Sequence, residues 1–183
     1  ACLGAAADEV CFPSGGTEAD NLAVLGGWRV LRGSGRRAVV TTPIEHKAVL
    51  EAVHKAAKEG AEERILAVDA SGTVPMDDAR ARIDGDAALV SVMWVNNEIG
   101  TVQPIAELAQ LAKANGVFFH TDAVQAFGKV DVNAKTVPFD FASISGHKIG
   151  APKGVGAMYL RRGTPLEPLF FGPGRDLDVV QRP

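Results

Sequence analysis

"FDFASISGHKIGAPKGVGAMYL", Phe139 to Leu160, sets an apolar run, a polar turn and a second apolar run one after another. FDFASIS and GVGAMYL read as strands, and the turn between them opens with Ser145, Gly146, His147 and Lys148. A long cation thus stands at the mouth of a strand, among residues whose main offering is open backbone N–H groups. A surface turn and a covalent anchor for an anionic group both fit that description. The remainder of the chain decides between them.

The same alternation recurs toward the N-terminus. Val10–Phe12 reads as a strand entering the turn PSGGTE, followed by a helix from about Thr17 to Leu31 with Leu22, Leu25 and Trp28 on one face. RRAVVTT is a strand and EHKAVLEAVHKAAKEG a helix stopped by Gly60. RILAVDA is a strand, Met76–Ile83 a short helix, and AALVSVMWV the longest apolar strand. QPIAELAQLAKANG forms a helix with Pro104 near its start, VFFHTD another strand, and the chain from Thr164 is loop-like. Strands alternating with helices imply βαβ units and a mainly parallel sheet, an α/β fold.

Composition sets the outer limits. The chain has 183 residues, 46% hydrophobic and 22% charged, an ordinary globular balance that fits one domain. Nineteen basic against 22 acidic residues give a net charge of −3, which argues against a nucleic-acid or anionic membrane surface. No apolar run is long enough to span a bilayer. Cys2 and Cys11 make no disulfide framework and fit a reducing compartment, so a cytoplasmic location is expected. The start at Ala1 and the stop at Pro183 after a Gly/Pro-rich stretch read as a piece of a longer protein.

In open parallel sheets ligands bind beyond the carboxyl ends of the strands. The unusual polar residues fall there, loop after loop: Ser14-Gly15-Gly16-Thr17, then Glu45-His46, then Asn96-Asn97-Glu98, then Asp122 and Gln125, then Ser145 to Lys148. Taken singly, each has an ordinary reading. SGGT makes a tight turn capped by Thr17, asparagines form turns, Asp122 caps AVQAFG, and an isolated histidine or lysine faces water. On one edge of one sheet they suit a single chemistry. Glycines and a helix N-terminus cradle a phosphate, a lysine holds an aldehyde, a carboxylate keeps a pyridine nitrogen protonated, and a flat imidazole lies against a ring. Those are the needs of pyridoxal 5'-phosphate (PLP). A metal-dependent hydrolase using His120, Asp122 and His147 is a weaker alternative, because it leaves Lys148 without a role.

SGGTEADNLA, EHKAVLEA, NNEIGTVQPI, HTDAVQAFGK and SGHKIGAPKGVGAMYLRR, in that order, resemble the signatures of the cysteine desulfurases. These are class V aminotransferase-fold, PLP-dependent enzymes, and the wording is similar to the NifS/IscS-like group that feeds iron–sulfur cluster assembly. The resemblance runs from about Leu3 to Arg162. It implies the large domain of a fold type I PLP-dependent transferase, a mainly parallel mixed sheet flanked by helices. Residues 1–183 would be that PLP-binding domain, lacking an N-terminal segment and the C-terminal small domain. By the same resemblance Lys148 would hold PLP covalently and act on the substrate's α-proton, Asp122 would pair with the pyridinium nitrogen, and His46 would stack on the ring. Gln125 and Asn97 would sit near the phenolic oxygen, while Gly16, Thr17, Ser145 and His147 would hold the phosphate. The implied reaction converts L-cysteine to L-alanine and leaves sulfur on an enzyme cysteine as a persulfide. A homodimer and a sulfur-acceptor or iron–sulfur scaffold protein are implied as partners.

The departures are specific. The family's sulfur-accepting cysteine and its carboxylate-binding arginine lie beyond Pro183, and neither Cys2 nor Cys11 is assigned as the nucleophile. Pro13 stands where Thr or Ser is commoner, and FGPGRDLDVVQRP differs from the family's glycine-rich loop. Selenocysteine lyase or another class V aminotransferase or lyase is the alternative activity, and the 183-residue piece is open to a reading in which it turns nothing over.

Overall fold

The computed structural model describes residues 2–170, so the reading of FGPGRDLDVVQRP lies outside the described residues. Seven strands make one sheet: β1 (Val10–Cys11), β2 (Ala38–Thr41), β3 (Glu62–Ile65), β4 (Ala87–Ser91), β5 (Phe118–Asp122), β6 (Phe141–Ser145) and β7 (Gly156–Leu160). Their order across the sheet is β1-β7-β6-β5-β4-β2-β3. Strands β2 to β6 run parallel to one another. β7 lies antiparallel to β6, and β1 antiparallel to β7. The sheet is mixed and mainly parallel, with the chain crossing from β3 past β2 to β4.

Burial on both faces explains why the central strands read as near-continuous apolar runs. Every residue of β2, β4 and β6 is buried. Alternate side chains enter two separate cores, as the period of two requires. Val39, Leu89, Phe141 and Met158 pack on one face against helices α1 (Gly16–Asn21), α2 (Gly27–Leu31) and α3 (Lys47–Lys58). Val40, Val90, Ala142 and Tyr159 pack on the other against α4 (Met76–Arg82) and α5 (Ile105–Ala114). This three-layer arrangement leaves the strand ends free to carry loops.

Local chemistry fixes the helix ends. In α3 the buried positions Ala48, Val49, Ala52, Val53 and Ala56 follow the helical period. Gly60 ends it at φ +107°, donating to Ala57 O while Ala61 N–H reaches Ala56 O. This double bond pattern satisfies the last carbonyls, and the left-handed backbone favours glycine. α5 ends the same way at Gly116, with Val117 N–H on Ala112 O.

Several boundaries differ from the sequence reading. The helix expected from Thr17 to Leu31 is α1, a π segment over Leu22–Gly26, then α2. Gly26 has no room for a side chain because the 164–169 segment crosses there, Glu167 N–H donating to Gly26 O at 3.1 Å. RILAVDA overlaps a strand that starts two residues earlier, at Glu62, and ends at Ile65. AALVSVMWV continues as buried apolar chain past the end of β4 at Ser91. Pro104 caps α5 from outside it. Among the described residues no helix is long and apolar enough to cross a membrane.

Candidate active site

The first turn of α1 and the loops at the carboxyl ends of β2, β4, β5 and β6 open on one cavity of about 260 Å³. Each loop reaches it from a different strand, which is what a parallel sheet with helices on both faces provides. The nine residues to which the resemblance gives a role at the cofactor all line this cavity, whereas Ser14, Glu45, Asn96 and Glu98 do not.

Gly16 and Thr17 begin α1, whose first-turn N–H groups have no acceptor inside the helix and carry the positive end of its dipole. A Cβ on Gly16 would sit 2.9 Å from Val124 Cγ2, so a larger residue would push this turn and the loop after β5 apart. Ser14 is not free: its N–H donates to Glu18 Oε2 at 2.8 Å. Beside Gly16, whose Cβ would lie 3.5 Å from Ser145 Cβ, Ser145 ends β6, with Oγ 2.8 Å from His147 Nδ1. His147 and exposed Lys148 ride a short 3-10 turn, Gly146–Ile149, closed by Gly150 in left-handed backbone at φ +86°. Gly146 donates to Val155 O, and a Cβ there would come within 2.8 Å of that oxygen.

Asp122 ends β5 at 5% exposure, and its Oδ1 accepts the Val124 N–H at 2.8 Å. Burial pushes this carboxyl up, while the Val124 N–H and nearby His46 pull it down. His46 caps α3: its Nδ1 accepts Ala48 N–H at 3.2 Å, which places the neutral ring's proton on Nε2. Gln125 accepts a hydrogen bond from Lys129 Nζ at 2.9 Å through Oε1, and Asn97 donates to Glu98 Oε1 at 2.7 Å. Among the described residues no carboxylate lies within 4 Å of Lys148 Nζ.

Other residues in these loops serve the scaffold. Glu45 is buried, accepting Thr42 Oγ1–H at 2.7 Å and Met93 N–H at 3.0 Å on Oε1, and burial pushes its carboxyl up to about 8. Asn96 closes its own turn, accepting from Glu98 and Ile99 N–H and donating to Ile44 O. Three lining residues escaped the sequence reading: Asp20, Met93 and Val124. Asp20 was discoverable, since it stands three and four residues after Thr17 and Gly16 on the same helix face. Met93 and Val124 carry no signal apart from ordinary core residues.

The metal alternative fails on geometry. His120 is fully buried within the sheet, its Nδ1 2.8 Å from Ser91 Oγ and its Nε2 2.9 Å from Ser143 Oγ. It does not line the cavity, and among the described residues no three His, Cys, Asp or Glu side chains gather to hold a metal. Neither cysteine lines the cavity. Cys2 is exposed, and half-buried Cys11 donates to Met158 O at 3.6 Å with its thiol pushed up by burial and then by Glu18.

The open first turn of α1, Lys148, a buried carboxylate and the His46 imidazole therefore line one cavity. Residues 1–181 match the aminotransferase class-V family. The cysteine desulfurase IscS of Dictyoglomus turgidum is 45% identical over 174 residues, spanning 95% of this chain and 44% of that protein. The cysteine desulfurase of Bradyrhizobium diazoefficiens is 47% identical over 175 residues, with the same coverage. Among solved structures, DndA from Streptomyces lividans aligns at a TM-score of 0.90 with 45% identity, covering the whole of this chain and 52% of its own. SspA in complex with cysteine aligns at 0.90 with 36% identity, over 97% of this chain and 52% of that one. The chain spans about half the length of the relatives it matches.

Proposed function

The chain belongs to the aminotransferase class-V family, and from that premise we propose that it is the cofactor-holding part of a PLP-dependent cysteine desulfurase. The observation that carries the reading is one cavity faced by the amine of Lys148, the buried carboxylate of Asp122 and the open first turn of α1. The residues present fit PLP. The first turn of α1 offers unpaired backbone N–H donors to an anion, and Ser145 and His147, which line the same cavity, add side-chain donors. When bound, PLP supplies an electron sink for the pair left at the substrate's Cα.

The protein's own groups do the remainder. Lys148 is the amine that holds the cofactor and moves the proton at the substrate's Cα. Asp122, held by the Val124 N–H, keeps a proton on the ring nitrogen by its negative charge. His46 lines the cavity with Nδ1 committed to the Ala48 N–H, and its imidazole would cover the ring and orient the substrate. Gln125 and Asn97, which line the cavity, would contact the ring's phenolic oxygen. The substrate is L-cysteine, the products are L-alanine and a sulfur atom carried on a cysteine thiol as a persulfide. A sulfur-acceptor or iron–sulfur scaffold protein takes it onward, in the cytoplasm.

Residues 1–183 serve as the PLP-binding domain, and a second copy completes the site. Exposed apolar side chains on the cavity loops support that: Phe12, Ile99 and Ile149 are 80%, 65% and 47% exposed. The experiment supplies the complete protein with PLP and L-cysteine and measures alanine and protein-bound sulfur. Equal yields, both lost in Lys148→Ala, are expected. A PLP-saturated protein that releases no alanine overturns the reading.

A further inference from the structure

A polar chain crosses the sheet behind the cavity. Ser91 on β4, His120 on β5 and Ser143 on β6 are fully buried and bonded in series, Ser91 Oγ to His120 Nδ1 at 2.8 Å and His120 Nε2 to Ser143 Oγ at 2.9 Å. Asp20 on α1 stands at its end and also lines the cavity. It is 2% exposed, and its Oδ1 lies 3.6 Å from His120 Nε2 with no hydrogen-bond partner. Among the described residues no other basic nitrogen comes within 4 Å of it. An ionised carboxylate in such a place has lost its water and gained no counter-charge.

The charges around Asp20 point the same way. Asp122 faces it from β5 and Glu45 from the turn before α3, and both are acidic. His120, pushed down to about 3 by burial, stays neutral. Burial first, then Asp122, holds the Asp20 carboxyl well above its ordinary range, and only the Ser143 hydroxyl pulls down. Asp122 by contrast has the Val124 N–H and His46 beside it. When two carboxyls share a site, the one with hydrogen-bond donors ionises and its neighbour keeps a proton.

We propose that Asp20 is a positioning residue that holds its proton, packs α1 as a neutral group against the Ser143–His120–Ser91 chain, and leaves Asp122 as the one anion on the cavity floor. The role of that anion rests on the PLP reading; the protonation of Asp20 does not. A neutral Asp20 also keeps a second negative charge away from the cavity that is to receive a phosphate.

Carbon-13 NMR of the cofactor-free complete protein, labelled at the aspartate carboxyl carbon, tests the protonation. Asp20→Asn and Asp122→Asn each remove one signal and so assign the pair. At pH 7 the Asp20 signal is expected at the position of a protonated acid and that of Asp122 at the ionised position; an ionised Asp20 overturns the proposal. PLP retention tests the positioning. Asp20→Asn, neutral and of the same shape, is expected within about twofold of the original, and Asp20→Ala about tenfold weaker, because it opens a gap between α1 and the buried chain. Equal weakening in both variants also overturns the proposal, and should Asp20→Ala fail to fold, the NMR result and Asp20→Asn still decide. A parent protein that takes up no PLP would instead sink the cofactor reading and leave the NMR result standing.

Discussion

Replacing Glu45 by Gln should change how stability depends on pH. Glu45 is buried at 6% exposure, with Oε1 satisfied by Thr42 and Met93 and Oε2 without a partner. Burial lifts its carboxyl from 4.5 in a free chain to about 8. The folded protein therefore keeps a proton that the unfolded chain releases. Its contribution is fully present below pH 4.5 and is lost as pH rises toward 8. At 1.36 kcal/mol for each pH unit, raising pH from 5 to 7.5 costs the parent about 3 kcal/mol. The amide introduced by Glu45→Gln cannot ionise, and its carbonyl keeps both donors, so the variant is spared that loss. Urea unfolding of the cofactor-free protein at pH 5 and 7.5 reads the effect. The variant should gain about 3 kcal/mol on the parent between the two pH values. A stability difference constant to about 0.5 kcal/mol would refute the reasoning, because it would mean that Glu45 is hydrated or paired in the folded state.

Asp122→Asn should leave PLP bound but slow alanine release by at least about 100-fold, since removing a charge that stabilises the reacting state costs several kcal/mol; single-turnover rates at saturating PLP check this. Gly16→Ala brings a methyl to 2.9 Å from Val124 Cγ2 and should destabilise by about 1–3 kcal/mol. Adding Val124→Ala should recover part of that loss in thermal unfolding. Arg29 and Glu59 form a two-bonded ion pair at 2.9 and 2.6 Å, which holds the Glu59 carboxyl down at about 2. A depressed carboxyl stabilises the fold above pH 4.5 and loses that effect as pH falls toward 2, so Arg29→Ala should cost about 1 kcal/mol at neutral pH and less in acid.

The arrangement of the site was legible because the chain obeys one rule: polar residues that follow successive parallel strands meet at their carboxyl ends. His46, Asn97, Asp122 and Lys148 are far apart in sequence yet line one cavity for that reason. Strand extents were less legible. Val92 to Trp94 stay apolar because they are buried, with Val92 and Trp94 still donating to His120 O and Asp122 O, so hydropathy does not mark the end of β4. The π segment leaves no trace in the pattern of Leu22 to Leu31, since its residues are as buried as those of a regular helix. Glu45 looked like part of the reactive loop because sequence shows its charge and not its burial. Asp20 escapes the sequence for the converse reason: its helical spacing from Gly16 and Thr17 shows its face and not that it lies 2% exposed beneath the cavity.

The central claim is that Lys148 carries the cofactor. Borohydride reduction of the PLP-loaded complete protein, followed by peptide mass mapping, fixes the attachment point. A pyridoxyl group on the peptide holding Lys148, absent from Lys148→Ala, is the expected result. Attachment at another lysine, or none after PLP saturation, would contradict it.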